Sequence, residues 1–418
     1  MITYTAIKMQ NELGDKMQIH RILPGERVSD IAKMQGISEE IIRKTNELGD
    51  SEGAVGEELF IPTPTRCYTV QHGDTLDRIA LRFGIKKGDI VRLNPWLRDG
   101  KLDIGQMLAL KQEEPRGGMA VANGYFYKGC TEEKLRRAMP YLTYITFAEA
   151  MADERGIRRT ADMKREVGIA LEEGKTPLVR VYDRYADRYK SEGDQASFAE
   201  ALIELAKEGG YKGIVLDACV LGNSANEFMS FLMILRKMMI GCDLILITEV
   251  NEKSPIEFSE YADGSVVYYP KYAFDSPLSF EEGERKVFSD FACRGESAKA
   301  FIDLPSLARG GNEFITTDAA LKRARKQGCE IKHNENTLLS RIGDRRQGEY
   351  SFASLKNIKA LLDLASEFDY MGICFDIMRT PLNQLMMYNS MFKTSYPVQG
   401  MLGEYVRSVE GCSRADEE

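Results

Sequence analysis

Apolar and polar positions follow two regimes, which meet at a charged, glycine-rich stretch, Gln112-Glu113-Glu114-Pro115-Arg116-Gly117-Gly118. After that stretch, short apolar runs alternate with longer amphipathic ones. The runs predict strands at 121–127, 141–147, 177–182, 213–218, 244–249, 265–269, 298–304 and 372–377, with helical periodicity at 198–207, 226–239 and 358–368 among the stretches between them. Strands alternating with helices over this length predict an α/β fold, a (β/α)8 TIM barrel. A doubly wound open sheet is the rival, but no glycine-rich phosphate loop supports it.

Ahead of the linker one pattern occurs twice. Ile22-Leu23-Pro24-Gly25-Glu26-Arg27-Val28-Ser29-Asp30-Ile31-Ala32 aligns without gaps on Val70-Gln71-His72-Gly73-Asp74-Thr75-Leu76-Asp77-Arg78-Ile79-Ala80. The same offset pairs Gly36 with Gly84, Ile37 with Ile85, Ile42 with Ile90 and Asn46 with Asn94. Each copy predicts a short strand (19–23; 68–71), a glycine turn, and a helix capped by Ser29 or by Asp74-Thr75. A second helix and a closing strand (to 62 or 110) complete a βααβ unit. The expected domains are 17–62, 66–111 and 119–418.

Composition narrows the function classes. With 43% hydrophobic and 29% charged residues in 418, the chain reads as globular, and no apolar run is long enough to span a bilayer. A net charge of -8 disfavours nucleic acid as a partner, because neutralising phosphates needs an excess of Lys and Arg. The eight cysteines are scattered without a C-x-x-C pair, and there are three histidines. The expectation is free thiols, no zinc site, no metal and no cofactor. The first residues lack an apolar core and a small-residue cleavage site, so synthesis in the cytoplasm without a classical signal peptide is expected.

The repeated unit resembles the LysM module, whose V-x-x-G-D-T-L-x-x-I-A-x-x-[FY]-G-[IV] and following [IL]-x-x-x-N read here as Val70 to Ile85, then Ile90 and Asn94. The first copy departs at Gly25-Glu26-Arg27-Val28. In that family a groove between the first turn and the loop after the second helix holds N-acetylglucosamine-containing chains. The resemblance therefore implies glycan contacts at Gly73, Asp74, Thr75 and Asn94, with Gly25 and Asn46 as equivalents. Asp74-Thr75 also serves as an ordinary helix cap, and Trp96 either stacks on a sugar or staples its loop.

At the carboxyl ends of the predicted strands stand Tyr125 and Tyr127, Glu149, Tyr182 and Asp183, Asp217, Glu249, Tyr268 and Tyr269, Asp303, then Asp376 and Arg379. Rings that pack on sugar CH faces and acids that bond to hydroxyls suit a carbohydrate. The region 120–380 resembles a family-18 glycoside hydrolase, in the group where tandem LysM modules precede the barrel and which acts on bacterial spore peptidoglycan. Asn123-Gly124-Tyr125, Leu142-Thr143-Tyr144-Ile145, Phe314-Ile315-Thr316-Thr317-Asp318-Ala319-Ala320, Glu349-Tyr350-Ser351-Phe352 and Gly372-Ile373-Cys374-Phe375-Asp376 carry the resemblance.

Such enzymes use substrate assistance: a Glu ending the fourth strand protonates the glycosidic oxygen, and an Asp two residues earlier orients the N-acetyl group. Here the strand reads Gly213-Ile214-Val215-Leu216-Asp217-Ala218-Cys219, so the assisting Asp217 is retained and Cys219 takes the acid's place. A thiol is a poor donor to an ether oxygen, and loss of a general acid costs roughly 10²- to 10⁴-fold in rate. The family's M-x-Y-D is replaced by Tyr269-Pro270-Lys271-Tyr272 and its pocket tryptophan by Asp376. Cys219 reads first as a small buried residue without a role; a reactive thiolate there would require a cationic neighbour, for which Arg184 and Lys271 are the candidates.

A noncatalytic protein that binds peptidoglycan or a chitin-like polymer is therefore expected, and the family resemblance implies deposition on the spore cortex or coat, with spore coat proteins as candidate partners. Two alternatives stand: a working N-acetylglucosaminidase using Glu149, Asp183 or Glu249 as a substitute acid, and a structural coat scaffold.

Overall fold

The computed structural model describes residues 18–97, 101–112, 119–217, 225–250, 258–267, 278–295, 297–344 and 348–394. In the first repeat, β1 (Gln18–Arg21) pairs antiparallel with β2 (Glu58–Ile61) around helices Val28–Gln35 and Glu39–Thr45. In the second, β3 (Pro64–Thr69) pairs with β4 (Met107–Gln112) around helices Leu76–Phe83 and Lys87–Leu93. The first helix of each copy is amphipathic and buries Val28, Ile31 and Ala32, or Leu76, Ile79 and Ala80. Each ends on a left-handed glycine, Gly36 or Gly84, at φ 67° and 64°.

The caps differ between the copies. Thr75 accepts from the Arg78 amide at 3.2 Å, as expected. Ser29 does not cap the first copy, because the helix already starts at Val28 and its hydroxyl lies inside the first turn. Glu52 does that work from a distant loop, its Oε2 accepting from the Val28 amide at 2.7 Å.

The second half closes a ring. Strands β5 (Met119–Tyr127), β6 (Tyr144–Asp153), β8 (Thr176–Asp183), β9 (Gly213–Asp217), β10 (Ile245–Val250), β11 (Gly264–Val267), β12 (Ala300–Asp303) and β18 (Gly372–Asp376) are parallel neighbours in that order. β5 pairs with both β6 and β18, so eight strands form a closed (β/α)8 barrel. β7 (Gly156–Arg159) extends β6 as a hairpin, and β19 (Lys393–Thr394) lies along the start of β5.

Alternation along each strand sends every second residue inward. One such layer, Tyr125, Tyr144, Leu178, Val215, Ile247, Val266, Phe301 and Cys374, fills the barrel. Closure between β18 and β5 requires Gly372, where a Cβ would stand 1.7 Å from the Val121 carbonyl oxygen.

Between β12 and β18 the chain makes β13 (Leu307–Gly310), β14 (Glu313–Thr316), β15 (Ile331–Asn334), β16 (Leu339–Asp344) and β17 (Gly348–Ala353). They form an antiparallel sheet in the order β14-β13-β17-β16-β15, with helix Thr317–Gln327. The described residues divide into two units: one takes those up to 112 with 305–360 and 379–392, the other the barrel residues from 119 to 304, 361–378 and 393–394. The inserted sheet thus groups with the repeated modules.

A buried lysine at the foot of β8 makes barrel stability depend on pH. Lys175 is 8% exposed and donates to the Leu142 carbonyl at 2.9 Å; burial pulls its ammonium down to about 8, against a smaller opposing pull from Glu173. Its folded value lies below the unfolded 10.5, so between about pH 8 and 10.5 the unfolded chain binds more protons and stability rises with pH. Lys175→Met should abolish that rise and stabilise the fold at pH 7 by about 2 kcal/mol, the neutralisation cost less one hydrogen bond. Urea midpoints of both proteins at pH 7 and pH 10 check this; parallel pH profiles would refute it.

Candidate functional site

Above the apolar layer, the next inward positions toward the carboxyl ends of the strands are polar: Tyr127, Arg180, Asp217, Glu249, Asp303 and Asp376. Arg180 on β8 organises them. Its Nη2 donates to Asp217 Oδ2 at 2.9 Å and to Glu249 Oε2 at 2.6 Å, while its Nε donates to Glu249 Oε1 at 2.7 Å. Tyr125 adds a hydroxyl bond to Glu249 Oε1 at 2.8 Å. One planar guanidinium thereby bridges strands β9 and β10, which lie side by side with Asp217 opposite Glu249 in register. Glu249 is 0% and Asp217 7% exposed, so this is a desolvated, charge-assisted network.

The tyrosines line the same space. Tyr125 and Tyr127 stack with ring centroids 6.2 Å apart, and Arg180 lies 5.5 Å from the Tyr182 ring. Burial pushes the Tyr127 phenol well above its ordinary value; Arg180 draws it back, and Glu249, Asp376 and Asp303 push it further up. Asp376, at the end of β18, accepts from the Met378 amide at 2.9 Å.

Two predicted carboxylates face elsewhere. Glu149 falls on the outer face of β6 with Phe147, an odd number of positions from inward Tyr144, at a bulge between the pairs Phe147–Val179 and Ala150–Val181. It is fully buried instead against Arg159 Nη1 (2.8 Å) and the Met163 amide (3.2 Å), and it bonds Tyr211. Asp183 is the odd residue beside inward Leu178, Arg180 and Tyr182; it accepts from the Tyr189 hydroxyl (2.5 Å) and the Tyr185 amide (2.9 Å), with Arg188 Nε at 3.0 Å. Arg184 is exposed over the Tyr182 ring at 5.0 Å. Cys219, Tyr268, Tyr269 and Lys271 lie outside the described residues.

Arg180 is the member of this network that sequence reading missed. Its signal was an arginine in the run Pro177-Leu178-Val179-Arg180-Val181-Tyr182, two positions from inward Leu178.

In the repeated modules the predicted residues build the turns. Tyr68 donates its hydroxyl to Asp74 Oδ2 at 2.5 Å, and the Gln71 amide reaches the same oxygen at 2.8 Å. The first copy repeats this with other residues: His20 Nε2 lies 2.8 Å and the Leu23 amide 2.9 Å from Glu26 Oε2. Gly73 and Gly25 hold positive φ at 78° and 79°, which shapes the turn. The departure at Gly25-Glu26 thus preserves the first turn.

Asn94 and Asn46 turn inward rather than toward a groove. Asn94 donates to the Ile90 and Ala109 carbonyls, both at 2.7 Å, and accepts from the Ala109 amide at 2.8 Å; Asn46 does the same with Ile42 and Phe60. They tie the second helix to the closing strand. Asn94→Asp, which loses both donors in a 0% exposed site, should destabilise module 2 by about 2–4 kcal/mol. Hydrogen exchange across 68–111 reads it; unchanged protection would contradict the assignment. Trp96 faces module 1, with Lys44 Nζ 5.9 Å from its ring centre, and the Met107 amide donates to Glu40.

No helix among the described residues is long and apolar enough to cross a membrane. Among them, Cys67, Cys130, Cys242, Cys293, Cys329 and Cys374 are free thiols.

Paired βααβ modules ahead of a closed parallel barrel define a LysM-bearing (β/α)8 protein. The LysM domain family matches residues 20–62 and 68–111, so the chain carries two LysM domains. No curated protein matches it. Among solved structures it is similar to the spore cortex-lytic enzyme SleL of Bacillus megaterium (TM-score 0.70, 18% identity, 92% of this chain and 100% of that one). It is also similar to SleL of Bacillus cereus (0.67, 18%, 91% and 99%). A chitinase from Chromobacterium violaceum aligns over 65% of this chain and 98% of its own (0.57, 14%). These likenesses establish the barrel fold.

Proposed function

We propose that this is a glycan-binding protein that holds a peptidoglycan or chitin-like polymer through its LysM region, and whose barrel engages sugar without cleaving it. The observation that carries the second half is the Arg180 bridge. Asp217, the residue retained from the assisted mechanism, is bound to a guanidinium that also grips Glu249, while the sequence places a thiol two positions on. A carboxylate whose oxygens accept from a guanidinium is already engaged, and would have to leave that bridge to reach a glycosidic oxygen.

The same reasoning weighs against substitute acids. Glu249 accepts two bonds from Arg180 and one from Tyr125; Glu149 accepts from Arg159 and a backbone amide; Asp183 accepts from Tyr189 and Tyr185 beside Arg188. Each is already engaged as an acceptor within its own strand surroundings. The spore cortex-lytic names of the two SleL structures support a spore envelope location and cortex peptidoglycan as the polymer.

Calorimetric titration of the full chain with chitooligosaccharides of increasing length tests the binding half. Saturable heat that strengthens with chain length is expected. Flat titrations with both chitooligosaccharides and soluble peptidoglycan fragments would overturn it.

A further inference from the structure

The two LysM modules share a backbone plan, but their second loops meet different surroundings. In module 2 the Gly105 amide donates to Val70 O at 2.9 Å and the Gln106 amide to Asp103 O at 3.0 Å, which sets this loop beside the Gly73 turn. Module 1 repeats both bonds: the Gly56 amide to Ile22 O at 2.8 Å and the Glu57 amide to Ala54 O at 2.9 Å. Gly56 and Gly105 hold φ of 82° and 87°. Hence Ala54, Val55 and Gly56 correspond to Asp103, Ile104 and Gly105.

Their environments are opposite. Asp103, Ile104 and Gly105 are all exposed, Ile104 at 69%. Ala54 and Gly56 are buried and Val55 half-buried. The cover is β15 of the inserted sheet, which belongs to the same unit. The Ile331 amide donates to Val55 O at 2.8 Å, and His333 Nε2 lies 2.6 Å from Gly56 O. Ala54 is part of the insertion's own apolar core, with Ala308, Ile331, Ile342 and Tyr350. The approach is so close that a Cβ on Gly56 would stand 2.1 Å from Ile331 O.

We infer that module 1 has given over its second loop to a contact within the chain, so that β15 occupies the place where a sugar would lie and module 2 alone receives glycan. This rests on the binding reading of the LysM modules. Ile104, exposed on the second loop of module 2, suits the apolar face of a pyranose ring. In module 1 the corresponding backbone oxygens, those of Val55 and Gly56, are taken by the insertion.

Hydrogen exchange on the full chain, with and without chitotetraose, tests this. Without sugar, amides at 54–57 should exchange at least about tenfold more slowly than those at 103–106, and the Ile331 amide should be protected. With sugar, 103–106 should gain protection and 54–57 should not change. Ile104→Asp should weaken binding at least about tenfold with exchange at 54–57 unaltered. Equal exchange of the two loops without sugar, or sugar-induced protection at 54–57, would overturn the inference. If no sugar binds, the binding reading fails, and the sugar-free comparison still decides whether β15 covers module 1.

Discussion

Replacing Arg180 by methionine is expected to destabilise the barrel by about 3–5 kcal/mol, the cost of leaving buried charge without its partner. The guanidinium is 17% exposed, the Asp217 side chain 8% and that of Glu249 0%, so solvent cannot take over its role. Asp217 and Glu249 are register neighbours on adjacent strands, and removing the cation brings two carboxylates into mutual repulsion. The effect should shrink when Glu249→Gln is added, since the second substitution removes one of the opposing charges. Urea unfolding of the single and double variants measures this. A single variant as stable as the parent, or a double variant with strictly additive loss, would contradict the bridge.

Arg325→Met is expected to have a comparable effect, about 3–5 kcal/mol, in the unit that holds the LysM modules. Arg325 projects from helix Thr317–Gln327, 8% exposed, and meets Glu57, 2% exposed, through Nε (3.0 Å) and Nη2 (2.5 Å). Its remaining donors reach the Glu47 carbonyl at 3.0 Å and the Asn46 carbonyl at 3.3 Å. The substitution therefore takes the cation from a buried carboxylate, which keeps the Ala54 amide, and removes a donor from two backbone oxygens of module 1 at once. A double-mutant cycle with Glu57→Gln should give a coupling of about 1–3 kcal/mol. No coupling would show that the pair contributes nothing to joining module and insertion.

The repeat, the βααβ modules and the eight parallel strands were legible in the sequence because each rests on local pattern: a constant offset between copies, or an apolar run bounded by turns. Inward positions at strand ends were legible where the alternation is regular, as it is for Tyr125, Tyr127, Asp217, Glu249 and Asp376 at the inner face. Glu149 was misplaced because it was read from its position at a strand end alone: it lies an odd number of positions from inward Tyr144 and so on the outer face. Arg180 escaped notice for a related reason: inside an apolar run it reads as an exception, and only its partners on β9 and β10 give it meaning.

Asn94 and Asn46 illustrate a different limit. Both sit at loop positions that family resemblance assigns to ligand, yet each amide is consumed by the helix and strand that the loop joins. The grouping of 305–360 with the modules was not legible at all, since Glu57, Arg325, Gly56 and Ile331 meet across hundreds of positions without any shared local pattern. Long-range contacts of this kind leave only a polar residue in an otherwise buried element as their trace.

The most direct test of glycan capture without hydrolysis is to count new reducing ends when the full chain is incubated with cortex peptidoglycan at concentrations where binding is saturated. The account predicts bound protein and no reducing ends above the protein-free blank. Reducing ends that accumulate with time and in proportion to protein would contradict it.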